Sequence, residues 1–321
     1  MNLPKYKDVV KAHERIKPYI HKTPVLTSKS INEITGCEIF FKCENFQKVG
    51  AFKFRGACNA VFSPRLKELE QGVSAHSSGN HAAALALAAR MRGVPAYIVM
   101  PENAPEIKIN AVRGYGGKIT FCKPTNKARE SELEKVNKKT GAQEIHPYNN
   151  FNVIAGQGTC AKELMDEVSS LDSIITPLGG GGLLSGTCLA AHGLNPEIKI
   201  YGVEPKGAAD ACLSLKTGKI EPSLNPVTIA DGLLTSLGTL TFPIIQSHIT
   251  EILTVNENTI IEAMFLIWER MKIVIEPSAA VTLAAIIENN ELFKNQRVGI
   301  ILTGGNISIS QASSYIKKEP G

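Results

Sequence analysis

The chain has 321 residues, 43% hydrophobic and 20% charged, which suits one large globular domain or two moderate ones around a sizeable core. Its 35 basic and 30 acidic residues leave a net charge of +5, too mild and too interspersed for a nucleic-acid surface. Seven scattered cysteines with no CxxC pair read as reduced thiols packed like small hydrophobes, and none has the context of a catalytic thiol.

From the N-terminus, residues 1–17 contain no apolar stretch of signal-peptide length, and nothing downstream approaches a membrane span. The expected setting is the reducing cytoplasm. The first chemically suggestive stretch is Gly50-Ala51-Phe52-Lys53-Phe54-Arg55-Gly56-Ala57. A lysine between two phenylalanines either snorkels its ammonium to solvent or lies partly desolvated, where the neutral amine becomes available for Schiff-base chemistry. Next comes Ser77-Ser78-Gly79-Asn80-His81, ahead of a helix expected over 81–92. Serine or asparagine caps such a helix. Its N-terminus, with glycine beside it, also suits an anion such as a substrate carboxylate, with a serine hydroxyl near the reacting carbon.

Residues 96–100 (AYIVM) predict a buried strand, and the mixed charges of 123–139 a solvated helix face. A helix over 161–168 leads to a strand over 174–178 and then to Gly179-Gly180-Gly181-Gly182-Leu183-Leu184-Ser185-Gly186. Four successive glycines cost backbone entropy that a plain turn does not need. Strand, glycine loop and helix is the arrangement that cradles a phosphate with main-chain amides. The loop is neither GxGxxG nor a nucleotide P-loop, which counts against a nicotinamide oxidoreductase or a triphosphate enzyme. A strand over 198–203 runs into Glu204-Pro205-Lys206-Gly207-Ala208-Ala209-Asp210. Its two carboxylates are either surface charge or, with a carbonyl between them, oxygen ligands for a hard divalent cation. A helix over 259–271 precedes a strand over 298–302, whose end carries Thr303-Gly304-Gly305-Asn306, either a plain turn or a hydroxyl aimed at a ligand heteroatom. Strands alternating with helices imply an α/β fold with parallel sheets covered on both faces and ligands at the carboxyl edge. Composition alone does not reveal the number of domains.

Nine stretches in chain order carry a family resemblance: KTPVLTS from residue 22, FKCENFQKVGAFKFRGA, HSSGNHA, IAGQGT, LGGGGLLSG, GVEP, TIADG, ERMKIVIEPSA and TGGN. Together they resemble the fold-type-II pyridoxal-phosphate enzymes of the serine racemase and serine/threonine dehydratase family. The resemblance implies two open, twisted α/β domains with mainly parallel sheets. A large cofactor-binding domain would comprise 1–71 and 150–321, and a small mobile domain 72–149. It further implies that Lys53 holds pyridoxal phosphate as a Schiff base, flanked by Phe52. Asn80 would bond the ring oxygen, Gly179, Gly180, Gly181, Gly182 and Leu183 would hold the phosphate, and Thr303 would face the pyridine nitrogen. Ser78 matches the acid/base on the cofactor face opposite Lys53, while Ser77 and His81 would help it seat the substrate carboxylate. Glu204, Asp210 and the Ala208 carbonyl match a magnesium site, open also to calcium or manganese.

The activity implied is racemisation of serine with accompanying β-elimination to pyruvate and ammonia. The alternative is a dehydratase of L-serine, L-threonine or threo-3-hydroxyaspartate with little racemisation, for which Arg129 is the candidate partner of a second carboxylate. A non-catalytic vitamin B6 carrier is disfavoured by the presence of Lys53, Ser78 and Thr303. A homodimer with an amino-acid substrate is expected, without membrane or nucleic-acid partners. Lys29, Val49, Ala83, Tyr148 and Ser308 depart from the ATP-activated members, which speaks against ATP as an activator.

Overall fold

The computed structural model describes residues 2–77 and 79–315, apart from the Asn126 side chain. Within them the strands are β1 (Val25–Leu26), β2 (Glu38–Cys43), β3 (Val73–His76), β4 (Ala96–Pro101), β5 (Lys118–Cys122), β6 (Gln143–Glu144), β7 (Ser173–Pro177), β8 (Lys199–Pro205), β9 (Glu251–Val255) and β10 (Arg297–Leu302). They form a six-stranded sheet of order β1-β2-β10-β7-β8-β9 and a four-stranded sheet of order β5-β4-β3-β6. Every pairing is parallel except that of β1 with β2. Mainly parallel sheets need helical crossovers that cover both faces, and their central strands are therefore apolar throughout. β7 is buried along its whole length, and β10 at all but its first residue. The α/β expectation holds.

The chain's two ends build one sheet. β10 lies in parallel register with β2, pairing Val298 with Ile39 and Leu302 with Cys43. The four-stranded sheet is drawn from the middle of the chain, with the alanine-rich helix Asn80–Arg92 packed on it. Ala82 through Ala89 of that helix are all buried, which explains why the stretch shows no amphipathic stripe.

The strands expected over 96–100, 174–178, 198–203 and 298–302 correspond to β4, β7, β8 and β10. The helix expected over 161–168 is only the end of a longer one, Phe151–Glu167. Gly156 and Gly158 hid its beginning, because glycine is unfavourable inside a helix. Packing overrides that preference here. A Cβ at Gly156 would lie 2.7 Å from the Arg55 carbonyl oxygen, and one at Gly158 would lie 2.6 Å from that of Gly186. These two glycines let helix Phe151–Glu167 run between helices Lys53–Phe62 and Gly182–Leu194 at close range. The lysine segment and the four-glycine loop are thereby held on opposite sides of one element.

Each chemically suggestive loop leaves the carboxyl end of a strand. β3 runs into 77–81, β7 into 179–183, β8 into 206–210 and β10 into 303–306. Parallel pairing places the last three on one edge of the larger sheet. No helix among the described residues is long and apolar enough to cross a membrane.

Candidate active site

Lys53 opens the helix Lys53–Phe62, directly after Phe52. A bridge between Ala51 and Gly304, and a hydrogen bond from the Phe52 amide to the Thr303 carbonyl at 2.9 Å, pin this start to the end of β10. The half-buried Lys53 donates from Nζ to the Pro147 carbonyl at 3.1 Å, and the ammonium stands 5.1 Å from the centre of the Phe52 ring. Burial pushes the ammonium down to about 8, and the Glu276 carboxyl only partly opposes it. The neutral amine is therefore accessible near physiological pH. Thr303 is buried beside it, at the first position past β10.

The four-glycine loop turns from β7 into helix Gly182–Leu194 through Gly181, whose φ of 86° favours glycine. Side chains would not fit. A Cβ at Gly180 would strike the Tyr148 ring, and one at Gly182 would lie 2.8 Å from the Tyr148 Cβ. Among the described residues, the amides of Gly179, Gly180, Gly181, Gly182 and Leu183 donate to no backbone carbonyl. The Gly180 carbonyl, by contrast, accepts from Thr241 Oγ1 at 2.8 Å, which fixes the loop from behind. Successive unpaired amides at a helix start, in a cradle that any side chain would fill, fit a phosphate group. The Lys53 amine with its low pKa fits the aldehyde of the same cofactor.

At the 77–81 loop, the Gly79 amide donates to Ser77 Oγ at 3.3 Å. Asn80 is held from two sides. Its Nδ2 donates to Glu276 Oε1 at 2.8 Å, and its Oδ1 accepts from Asn306 Nδ2 at 2.9 Å. Asn306 also donates to the Val49 carbonyl at 2.8 Å, so three separate segments set the Asn80 amide. His81 is buried, and its Nε2 donates to the Ile145 carbonyl at 2.8 Å. Burial, with Lys53 adding to it, pushes the imidazole down to about 3. The ring is thus neutral with its N–H engaged by Ile145, which leaves the main-chain amide as the group His81 could offer an anion at this helix start. Ser78 lies outside the described residues.

Glu204, at the end of β8, is buried and accepts the Ala211 and Cys212 amides at 3.0 and 2.8 Å. Both Asp210 carboxylate oxygens are buried with no hydrogen-bond partner among the described residues. Burial pushes Glu204 up to about 8 and raises Asp210 as well. Two strained carboxyl groups around the Ala208 carbonyl fit a hard cation, whose charge would relieve both. No group of three or more His, Cys, Asp or Glu side chains assembles among the described residues. Any cation here therefore relies on two carboxylates, a carbonyl and water.

Two features escaped the sequence reading. The first is a buried ionic cluster just behind Lys53. Fully buried Arg55 donates to Glu44 through Nε at 2.7 Å and Nη2 at 2.8 Å, and to Glu163 through Nη1 at 2.9 Å and Nη2 at 2.7 Å. Lys42 completes it, bonding Glu163 at 2.9 Å and the Thr23 carbonyl at 2.7 Å. Against the upward push of burial, Arg55 and Lys42 hold Glu163 down to about 2. A lysine inside the otherwise apolar run IFFKC was the available signal. The second is Glu276, whose carboxyl is pushed up to about 7 by burial and by Asp231, against Lys108 and Asn80. Its segment was legible as a motif, but its role beside Asn80 was not.

A family model described as pyridoxal-phosphate dependent enzyme matches residues 16–304. Serine racemase from Dictyostelium discoideum is 53% identical over 97% of this chain and 97% of its own length. The β-hydroxyaspartate dehydratase of Paracoccus denitrificans is 50% identical over 97% of this chain and 99% of its own. Among solved structures, maize serine racemase superposes with a TM-score of 0.95 at 43% identity, covering 98% of this chain and 97% of that one.

Proposed function

The chain belongs to the pyridoxal-phosphate dependent enzyme family, and on that premise we propose that it interconverts L- and D-serine, with β-elimination of serine to pyruvate and ammonia as an accompanying reaction. The observation that carries the reading is the desolvated Lys53 amine, with a pKa of about 8, sharing a sheet edge with the unpaired amides of 179–183. Lys53 would hold the cofactor as a Schiff base, with Phe52 at its side and the amides of Gly179, Gly180, Gly181, Gly182 and Leu183 on its phosphate. Asn80 would bond its ring oxygen and Thr303 its ring nitrogen. When bound, pyridoxal phosphate supplies the electron sink that makes an amino acid's α-proton acidic.

Once substrate has displaced it, Lys53 Nζ takes that proton from Cα on one face. Ser78 Oγ returns a proton to the opposite face, which inverts the centre. Where the β-hydroxyl instead takes up a proton and departs as water, hydrolysis by a second water gives pyruvate and ammonia. Thr303 would offer the ring nitrogen a neutral hydroxyl in place of a carboxylate, so no negative charge there would stabilise a protonated ring nitrogen. The amides at 77–81 would seat the α-carboxylate on the start of helix Asn80–Arg92. We assign 1–71 and 150–321 to a large domain and 72–149 to a small mobile one, whose closure would exclude water. Glu204, Ala208 and Asp210 would hold magnesium, calcium or manganese. The family resemblance supports a homodimer, and the unpaired cysteines support the cytoplasm.

A second reading, dehydration of a hydroxy-dicarboxylic amino acid such as threo-3-hydroxyaspartate, has one specific observation in its favour. Arg129 Nε is buried with no hydrogen-bond partner among the described residues, as a guanidinium reserved for a second carboxylate would be. The Paracoccus relative points the same way. Incubating the protein with L-serine, pyridoxal phosphate and magnesium, and following D-serine and pyruvate by chiral chromatography, separates the two. Substantial D-serine is the expected result. Pyruvate alone would move the function to the dehydratase.

A further inference from the structure

Two helices start at the four-glycine loop: Gly182–Leu194 directly, and Thr241–His248 through the bond from Thr241 Oγ1 to the Gly180 carbonyl. They pack together, and each carries a histidine in its last turn. Those histidines meet. Nδ1 of His192 lies 3.2 Å from Nδ1 of His248, with the ring planes 43° apart. His192 Nε2 lies 3.2 Å from the Ile198 carbonyl, which can only accept, so the proton of the neutral ring sits on Nε2 and its Nδ1 is a lone pair. Metal-ligating histidines are oriented in this way, with the far nitrogen donating to a carbonyl. Both rings are half-buried on the wall of a cavity of about 390 Å3, to which Leu3, Pro4 and Tyr6 also contribute. Among the described residues no carboxylate lines this cavity, and its one formal cation, Lys5, is exposed.

We propose that His192 and His248 bind a divalent transition cation of the zinc class through their Nδ1 atoms, tying together the far ends of the two helices. Two nitrogens on one tetrahedral zinc are about 3.3 Å apart, close to the separation found here. His248 needs only to carry its proton on Nε2, which leaves both Nδ1 lone pairs for the metal. Burial, with His192 adding to it, pushes the His248 imidazole down and so favours the neutral ring that ligates. Each histidine sits at a helix C-terminus, where the free carbonyls lend partial negative charge to a cation. No third His, Cys, Asp or Glu joins the pair among the described residues, so water from the cavity completes the coordination. Imidazole nitrogens without carboxylates select zinc, nickel or copper over magnesium, which separates this pair from Glu204 and Asp210. Without a metal, the same atoms are joined by a hydrogen bond from His248 Nδ1 to His192 Nδ1. The proposal does not depend on which reaction the enzyme catalyses.

The test is equilibrium dialysis of the untagged, cofactor-loaded protein against zinc chloride, after chelator treatment and in excess magnesium, beside His192→Asn and His248→Asn. A histidine tag would itself bind zinc, and magnesium competes for the carboxylate site. Asparagine keeps a hydrogen-bonding group near the Nδ1 position but is a poor zinc ligand. The wild type should take up one zinc per chain that each variant lacks or holds at least about tenfold more weakly. Zinc should also slow amide hydrogen exchange over 189–194 and 245–250 in the wild type and in neither variant. Zinc uptake no greater in the wild type than in the variants overturns the site. Uptake that the variants lose, with exchange in the wild type unchanged, overturns the tie between the helices. If His192→Asn does not fold, His248→Asn, at the last residue of its helix, carries the same comparison.

Discussion

Lys53 and Arg55 lie two residues apart at the start of one helix and meet opposite electrostatic surroundings. Side chains at that spacing point to different faces of a helix. Arg55 points between β2 and helix Phe151–Glu167, where two carboxylates and Lys42 surround it. Lys53 points to the sheet edge, where it finds a carbonyl, an aromatic ring and the Glu276 carboxyl, itself pushed up to about 7. Four formal charges (Lys42, Arg55, Glu44 and Glu163) cancel in the first environment. In the second, burial is not compensated and the ammonium is pushed down to about 8. A desolvated charge that has its partners becomes scaffold, whereas one left short of them becomes a reactive amine.

The sharpest way to break this contrast is Arg55→Met. It leaves Glu44 and Glu163 buried with Lys42 alone, and unfolding in urea should show a loss of about 3–5 kcal/mol. A loss below about 1 kcal/mol would mean that the cluster is not the anchor described. The Glu204 and Asp210 pair extends the contrast to anions, since Glu163 with its cations is held down to about 2 while Glu204 without one is pushed up to about 8. Magnesium at ten times its dissociation constant should stabilise the wild type by about 1.4 kcal/mol and leave Asp210→Asn unchanged in thermal unfolding. Equal responses would remove Asp210 from the cation site.

Lys53→Met should act with the opposite sign to Arg55→Met. The cofactor-free protein should gain about 1 kcal/mol, because an uncompensated buried cation is replaced by a matching apolar chain, while cofactor absorbance and turnover disappear. A destabilisation equal to that of Arg55→Met would erase the distinction. The smallest effect concerns Glu276. Only the neutral amine attacks an aldehyde, so cofactor uptake by the cofactor-free protein should accelerate with pH and level off above about 8. The Glu276 carboxylate favours the ammonium, so Glu276→Gln should move that midpoint to lower pH, by less than about one unit. An unmoved midpoint would mean that Lys53 does not sense this carboxyl.

The sequence alone was sufficient for the α/β class, for strands β4, β7, β8 and β10, and for the loops in which the chemistry was sought. All of these are local signals: an apolar run of strand length, a glycine run, a serine-asparagine helix start. Local signals also misled where packing outweighed propensity, as at Gly156 and Gly158, which conceal half of helix Phe151–Glu167. What only the tertiary structure decided is which charges are paired. Arg55 meets Glu163 across 108 residues, Lys108 meets Asp231 across 123, and Asn80 meets Glu276 across 196. Motifs name residue types at short spacing, but a pKa is set by desolvation and by the nearest opposite charge. Both depend on how distant segments pack, which no local pattern encodes.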